Sequence, residues 1–184
     1  MEYPWYDVVN GDNITQGDIL MRCPVVSILP SNSDTSSSNI ENVLEVEEII
    51  LDGVILSQAC DIENGKIDNL IICPIEARSH FEDRLRNSNK NEKEILNTLK
   101  SISRGERPGL YLLDKLESKE QGVFFEHHVV EFKNLYSVPI STAKEMAKAN
   151  GDRIRLLPPY REHLSQAFAR YFMRVGLPSN IVLE

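Results

Sequence analysis

The sequence predicts one α+β domain, built on a small antiparallel β-barrel or curled sheet with a helical insert and a C-terminal α-helix. Short β-type runs follow one another at distances that antiparallel connections can bridge. A polar, charged stretch at 78–103 interrupts them, and an amphipathic pattern at 158–176 closes the chain. The 184 residues fit one domain, 1–184, of ordinary size.

The first half of the chain predicts strands. The run "QGDILMRCPVVSILP" at 16–30 is rich in β-formers, with Pro24 as a candidate break. A flexible loop is expected over the polar segment 31–39. The alternating "VLEVEEII" and the more apolar "GVILSQA" predict two separate strands, one half-exposed and one central. After a turn at Asn64-Gly65, "LIICPI" at 70–75 predicts a short buried strand.

The second half predicts helices around further strands. Residues 78–103 favour two short helices, or one helix and a loop. "RPGLYLLDKL" predicts a strand, and "QGVFFEHHVVEFKNLYSVPI" predicts two more or one long bent strand. "STAKEMAKANGDR" favours a short helix or a loop. The last helix follows two prolines and should end near Gly176 and Pro178.

Composition narrows the class of protein. The net charge of −8 makes nucleic-acid binding less expected, although a local basic cluster can still supply it. Three widely spaced cysteines indicate a reducing cytoplasm rather than a disulfide framework. No apolar run is long enough for a membrane helix, and the acidic, aromatic start of the sequence is not expected to act as a secretory signal. Without Cys-x-x-Cys or His-x-x-x-His spacing, neither a metal site nor a cofactor is expected.

The stretch "LSQACD" holds the candidate catalytic residues Ser57, Gln58, Cys60 and Asp61. In an enzyme, the Cys60 thiol would be a nucleophile activated by His127 or His128. In the structural alternative, which we favour, Cys60 is a small core residue and Asp61 binds backbone N–H groups of the following turn. Ser57 and Gln58 then satisfy the polar groups of a strand end.

The order "QGDIL", "VILSQACD" and "NLIICPI" resembles the layout of the MazF/PemK toxin family. The resemblance covers roughly residues 16–76 and extends to 107–140. It implies a Src-homology-type small barrel with a C-terminal helix, and it marks Gly17, Asp18 and Ser57 as matching positions. Most members are ribosome-independent endoribonucleases controlled by an antitoxin, and some relatives of the barrel are protein-binding modules.

The family places an Arg-Pro pair, whose arginine takes part in RNA cleavage, just before the Val-Ile-Ser strand. Asp52-Gly53 stands there in this chain, and an acid cannot stabilise negative charge that develops on a phosphoryl group. The only Arg-Pro pair is Arg107-Pro108. Other arginines that could serve a nuclease are Arg22, Arg78 and Arg104, and the spacing selects none of them.

Two surfaces are candidates for binding. The acidic strand carries Glu45 and Glu47, either as an edge that meets a basic partner or as a charged edge that prevents aggregation. The polar face of the last helix carries Arg170, Met173 and Arg174, and Arg and Met are enriched at protein interfaces.

These observations predict a non-catalytic protein-binding component of a bacterial stress or phage-defence system. Its partner would be another protein of the same operon or system, with RNA as a less favoured ligand. The alternative is a metal-independent, MazF-like endoribonuclease that is the toxin of a toxin–antitoxin pair. A third hypothesis is a hydrolase that uses Cys60.

Overall fold

The computed structural model describes residues 3–29, 45–118 and 122–173. Within them lie ten strands and five helices. The strands are β1 Tyr6–Val9, β2 Ile19–Ile28, β3 Val46–Ile55, β4 Asn69–Ala77, β5 Leu110–Leu113, β6 Leu116–Ser118, β7 Val123–Phe125, β8 His128–Glu131, β9 Tyr136–Pro139 and β10 Arg153–Leu156. The helices are α1 Ala59–Glu63, α2 Arg78–Asn87, α3 Glu92–Ser103, α4 Ile140–Asn150 and α5 Tyr160–Phe172.

The main sheet has the strand order β2-β3-β4-β8-β5, and every neighbouring pair is antiparallel. Strand β9 also pairs with β4, beside residues 69–72, whereas β8 pairs beside residues 75–77. Two ribbons, β1-β10 and β6-β7, complete the pairing. The predicted α+β class is therefore confirmed. Pairing among the described strands leaves this sheet open, so the expected closed barrel is not formed by them.

Strand β3, Val46–Ile55, corrects the prediction of two separate strands at 43–50 and 53–59. It runs unbroken through Asp52-Gly53, a pair that would be typical of a turn. Gly53 pairs with Pro74 of β4, and a Cβ atom at this position would lie 2.4 Å from Cγ2 of Ile72. The glycine is thus required by close packing inside the sheet.

Strand β2 also continues through Pro24, the candidate break. Because β2 ends the sheet order, a proline without an N–H group costs few ladder hydrogen bonds there. The irregularity lies earlier, between Leu20 and Cys23, where Arg22 adopts a φ of 55°. The Asp52 carboxylate stabilises this bulge by accepting a 2.6 Å hydrogen bond from the Arg22 N–H.

Residues 78–103 form α2 and α3, and Asn91 begins α3 with a capping box that it shares with Glu94. The region after Gly122 contains three strands, β7 to β9, rather than the two or one expected. Helix α1 and the strands β1, β6 and β10 were not predicted from the sequence. Helix α5 occupies the predicted position, while residues 174–176 and the expected loop 31–39 lie outside the described residues.

The two faces of the sheet are buried in different clusters, because neighbouring residues of a strand point to opposite sides. Val54 and Cys73 pack with Leu164 of α5, whereas Ile55 and Ile72 pack with Ala143 of α4. A third cluster places α2 and α3 against Val129 of β8. In the part of the chain that is described, no helix is long and apolar enough to cross a membrane.

Candidate binding site

Four of the predicted catalytic residues lie together. Ser57, Gln58, Cys60 and Asp61 line one side of a cavity of about 720 Å³, at the junction of β3 and α1. The opposite side is formed by α5, through residues such as Ser165 and Gln166. We call it the α1 cavity. The side chain of Gln16 bridges its two sides, donating to the Leu56 carbonyl oxygen at 3.1 Å and to Ser165 Oγ at 3.0 Å.

The hydrogen bonds in the α1 cavity match a strand end. Ser57 Oγ accepts a 2.7 Å hydrogen bond from the Ile71 N–H, as the structural interpretation predicted for this residue. Gln58 stands at the N-cap of α1 without a side-chain capping bond. Asp61 does not bind the backbone N–H groups of its turn. Its carboxylate instead lies 3.7 Å from Lys66 Nζ.

Cys60 is exposed, so the interpretation of Cys60 as a small core residue is wrong. Its Sγ lies 3.7 Å from Gln58 Oε1 and from Asp61 Oδ1. The buried thiols are Cys23 and Cys73, and burial raises their pKa values to about 11 and about 12. These two are therefore protonated and unreactive at neutral pH.

The histidines proposed to activate Cys60 lie elsewhere. His127 Nε2 is 3.1 Å from Asp114 Oδ1, and the His128 ring stacks on Phe125 with ring centroids 4.0 Å apart. The described residues that line the α1 cavity include no histidine, lysine or arginine. Among the described residues, the thiol thus has no histidine beside it to act as the activating base, and its near polar neighbours are the Gln58 amide and the Asp61 carboxylate.

Gly17 and Asp18, the other positions of the resemblance, have structural roles. Gly17 has a φ of 85°, and a Cβ atom there would lie 3.1 Å from Leu156 Cβ. The fully buried Asp18 carboxylate accepts hydrogen bonds from Arg153 and Arg155 and from the Thr15 N–H. Because the Arg153 guanidinium also donates to Gly11 and Asn13 carbonyl oxygens, this cluster ties the N-terminal segment to β10.

A second cavity, of about 360 Å³, lies on the other flank of α5. Three arginines line it: Arg104 and Arg107 from the loop after α3, and Arg170 from α5. We call it the arginine cavity. Its further lining includes Trp5, Tyr111, His163 and Gln166, and no described lining residue is acidic. The whole chain has a net charge of −8, so the positive charge of this cavity is opposite in sign to that of the chain.

Aromatic rings form another part of the arginine cavity. The Trp5 indole stacks on the Tyr160 ring, with centroids 3.8 Å apart and planes 11° from parallel. Burial raises the pKa of Tyr111 to about 12, so its hydroxyl stays protonated and can donate a hydrogen bond. Trp5, Tyr111 and His163 were not predicted as site residues from the sequence. The one available signal was that Trp5 is the single tryptophan of the chain.

The remaining predicted residues are only partly brought together. Arg107 lines the arginine cavity and not the α1 cavity, so it does not join Ser57 and Cys60. Glu45 and Glu47 lie at the exposed start of β3, and neither lines a described cavity. Arg170 and Met173 share one side of α5, and Arg174 lies outside the described residues.

Within the described ranges, no group of three or more His, Cys, Asp or Glu side chains is placed to hold a metal ion. No protein-family model matches the chain, and comparison with curated proteins finds no relative.

Proposed function

We propose that this chain is a non-catalytic protein-binding component of a bacterial stress or phage-defence system, with α5 as its docking element. One observation carries the proposal. Helix α5, which has cavities on both flanks, presents arginine and methionine to solvent, while no histidine lines the α1 cavity among the described residues.

The docking face is a single stripe of α5. His163, Gln166, Arg170 and Met173 follow one another at intervals of three or four residues, which places them on one side of a helix. All four side chains are exposed, and Met173 is exposed to 79%. A flexible thioether beside an arginine is well suited to a partner surface.

Charge indicates the kind of partner. Arg170 on the stripe and Arg107 beside it have no carboxylate within ion-pair distance among the described residues. An arginine pairs best with a carboxylate, in a bidentate geometry. The partner would accordingly be a protein that presents acidic side chains around an apolar residue that contacts Met173.

The fold is compatible with the resemblance to MazF/PemK proteins. We propose that the open sheet β2-β3-β4-β8 is a variant of their small barrel, extended by the insert α2-α3. Two features support this. The bulge in β2 increases the local twist, and an isolated bridge between Asp18 and Arg155 links the β1-β10 ribbon to the start of β2. Asp52-Gly53, where the family carries its Arg-Pro pair, supports a binding role over cleavage.

The docking face can be tested by site-specific photocrosslinking in cells, with a benzophenone amino acid at position 173. The matched control position is Lys144, an exposed residue on α4, outside both cavities. We expect one partner to crosslink from position 173 and not from 144.

Arg170→Glu should then weaken binding of that purified partner by roughly tenfold or more, since the new carboxylate would face the acidic side chains of the partner. Equal binding by the variant, or no stoichiometric partner in native purification, would contradict the proposal.

A second candidate function is the metal-independent endoribonuclease, and the arginine cavity favours it. Its cations could bind RNA phosphates, because a local basic cluster can act within an acidic chain. The test is cleavage of a mixed single-stranded RNA pool with and without EDTA. Arg107→Ala, Ser57→Ala and Cys60→Ala variants would run in parallel. Cleavage that Arg107→Ala alone abolishes would establish this function, and intact RNA in all reactions would refute it.

A further inference from the structure

We propose that the arginine cavity binds a nucleotide, with the phosphate between Arg107, Arg104 and Arg170 and the base against Trp5. This inference goes beyond the proposed function, since it needs no partner protein. The ligand chemistry is an aromatic base that carries a phosphate, supplied either as a free nucleotide or by single-stranded RNA.

The electrostatics of the cavity favour a phosphate. Arg107 and Arg170 are exposed at its mouth without carboxylate partners in the described part of the chain. Arg104 is only weakly engaged, with Nη1 3.9 Å from the Glu106 carboxylate. Uncompensated arginines repel one another, and a phosphate relieves this repulsion through short, charge-assisted hydrogen bonds. Guanidinium groups match phosphate oxygens in geometry better than an ammonium does.

The arginine cavity adjoins two smaller cavities that also contain cationic side chains. Arg107 also lines a cavity of about 230 Å³ that includes both Lys90 and Glu94. Another cavity, which shares Ser103 with the arginine cavity, is lined by Arg78, Lys100 and His127, but Arg78 pairs with Glu82 and His127 lies beside Asp114. These neighbouring cations are partly compensated, so the attraction for a phosphate rests on the arginines of the arginine cavity itself.

The shape and lining of the cavity favour a ligand that carries an aromatic nucleobase over a bare anion such as phosphate. Its volume of about 360 Å³ lies in the range of roughly 300–1,000 Å³ typical of small-molecule sites. Stacking of a base on an aromatic ring contributes to affinity in nucleic-acid complexes whatever the identity of the base. Tyr160 covers one face of the Trp5 indole and holds the ring in place, while Trp5 itself lines the cavity. Leu110 and Leu112 extend the apolar wall.

Fluorescence provides a direct test, because Trp5 is the single tryptophan in the sequence. The purified full chain would be titrated with AMP, ADP, adenosine and pyrophosphate, and with an eight-nucleotide oligo(A) RNA. We expect AMP or ADP to quench Trp5 emission and to bind more tightly than both adenosine and pyrophosphate. An affinity for oligo(A) well above that for AMP would identify RNA as the source, and the reverse order would identify free nucleotide.

Substitutions test whether the nucleotide that changes Trp5 fluorescence binds in the arginine cavity. Arg107→Gln should weaken ADP binding by roughly tenfold or more, the effect expected when one charge-assisted contact is lost. The matched control is Arg22→Asn, which removes an exposed arginine outside the cavity and keeps a residue that tolerates the φ of 55°. Calorimetry with Trp5→Phe should show weaker binding that is still measurable.

Three outcomes would overturn the proposal. They are no binding of any nucleotide, equal affinities for pyrophosphate and ADP with unchanged Trp5 emission, and equal weakening by Arg107→Gln and Arg22→Asn. None of them bears on photocrosslinking of a protein partner from position 173, so the two proposals fail separately.

Discussion

Asp18 shows how one buried carboxylate can organise an N-terminal segment. It is fully buried and paired with Arg153 and Arg155, whose side chains are 3% and 20% exposed. We predict that Asp18→Asn destabilises the protein by about 3–5 kcal/mol, because both arginines would remain beside a neutral amide. Urea unfolding followed by circular dichroism measures the change.

The control for Asp18→Asn is Glu117→Gln, which breaks a solvent-exposed pair with Lys115. Exposed pairs contribute little, so this variant should unfold at the wild-type urea concentration. A similar, small effect of both substitutions would show that the Asp18 cluster does not stabilise the fold.

Residue-level predictions from the sequence had mixed outcomes. Ser57 satisfies a strand end, because its Oγ accepts from the Ile71 N–H of the neighbouring strand β4, whereas Asp61 does not bind the N–H groups of its own turn. Cys60 was misplaced because its exposure depends on α1, a helix of only five residues. The arginine cavity could not be predicted, since Trp5, Arg107 and Arg170 are far apart in the sequence and meet only through tertiary packing.

At the scale of elements, strand β3 depends on the absence of a side chain at Gly53. A Cβ atom there would approach Cγ2 of the fully buried Ile72 to 2.4 Å. We predict that Gly53→Ala destabilises the protein by about 1–3 kcal/mol, the usual cost of overpacking a core. Thermal unfolding and urea unfolding both measure this loss.

Gly109 provides the matched control, because neither glycine has a positive φ. A Cβ atom at Gly109 would meet Tyr171 Cε2 at 3.5 Å, which is ordinary van der Waals contact. Gly109→Ala should therefore keep wild-type stability or gain slightly through a less flexible unfolded chain. If Gly53→Ala were equally stable, close packing would not be the reason that Asp52-Gly53 lies inside a strand.

A comparison of α5, β3 and β10 shows why some elements were predicted from the sequence and others were not. Helix α5 has a repeated apolar pattern and a proline start, both of which are local signals. At Asp52-Gly53 the local signal is a turn, and tertiary packing against β4 overrides it. Strand β10 has only four residues and is stabilised by pairing with the distant β1, so its own sequence carried too little information.

At the scale of the whole molecule, His128 couples stability to pH. It lies between β4 and β5 in the sheet order, stacks on Phe125, and is 6% exposed. Burial lowers the pKa of His128, and this effect outweighs the opposite influence of the Glu126 carbonyl group and of the Glu126 and Asp52 carboxylates. The nearby His80 lowers it further.

A histidine whose pKa is lowered by folding binds its proton more readily in the unfolded chain. Above the unfolded pKa of about 6.5 it is neutral in both states and has no effect on the free energy of unfolding. Below that pH the unfolded state is favoured, by at most about 1.4 kcal/mol per pH unit. We therefore predict that wild-type protein loses more stability between pH 8 and pH 5.5 than His128→Gln does.

The comparison between variants is needed because the 28 carboxylates of the chain also begin to titrate in acid. His163→Gln is the control, since His163 is exposed on α5 and is not one of the groups that shift the pKa of His128. Urea unfolding at several pH values between 5.5 and 8 gives the slopes. If His128→Gln follows the wild-type slope, burial of a neutral His128 is not what makes this sheet sensitive to acid.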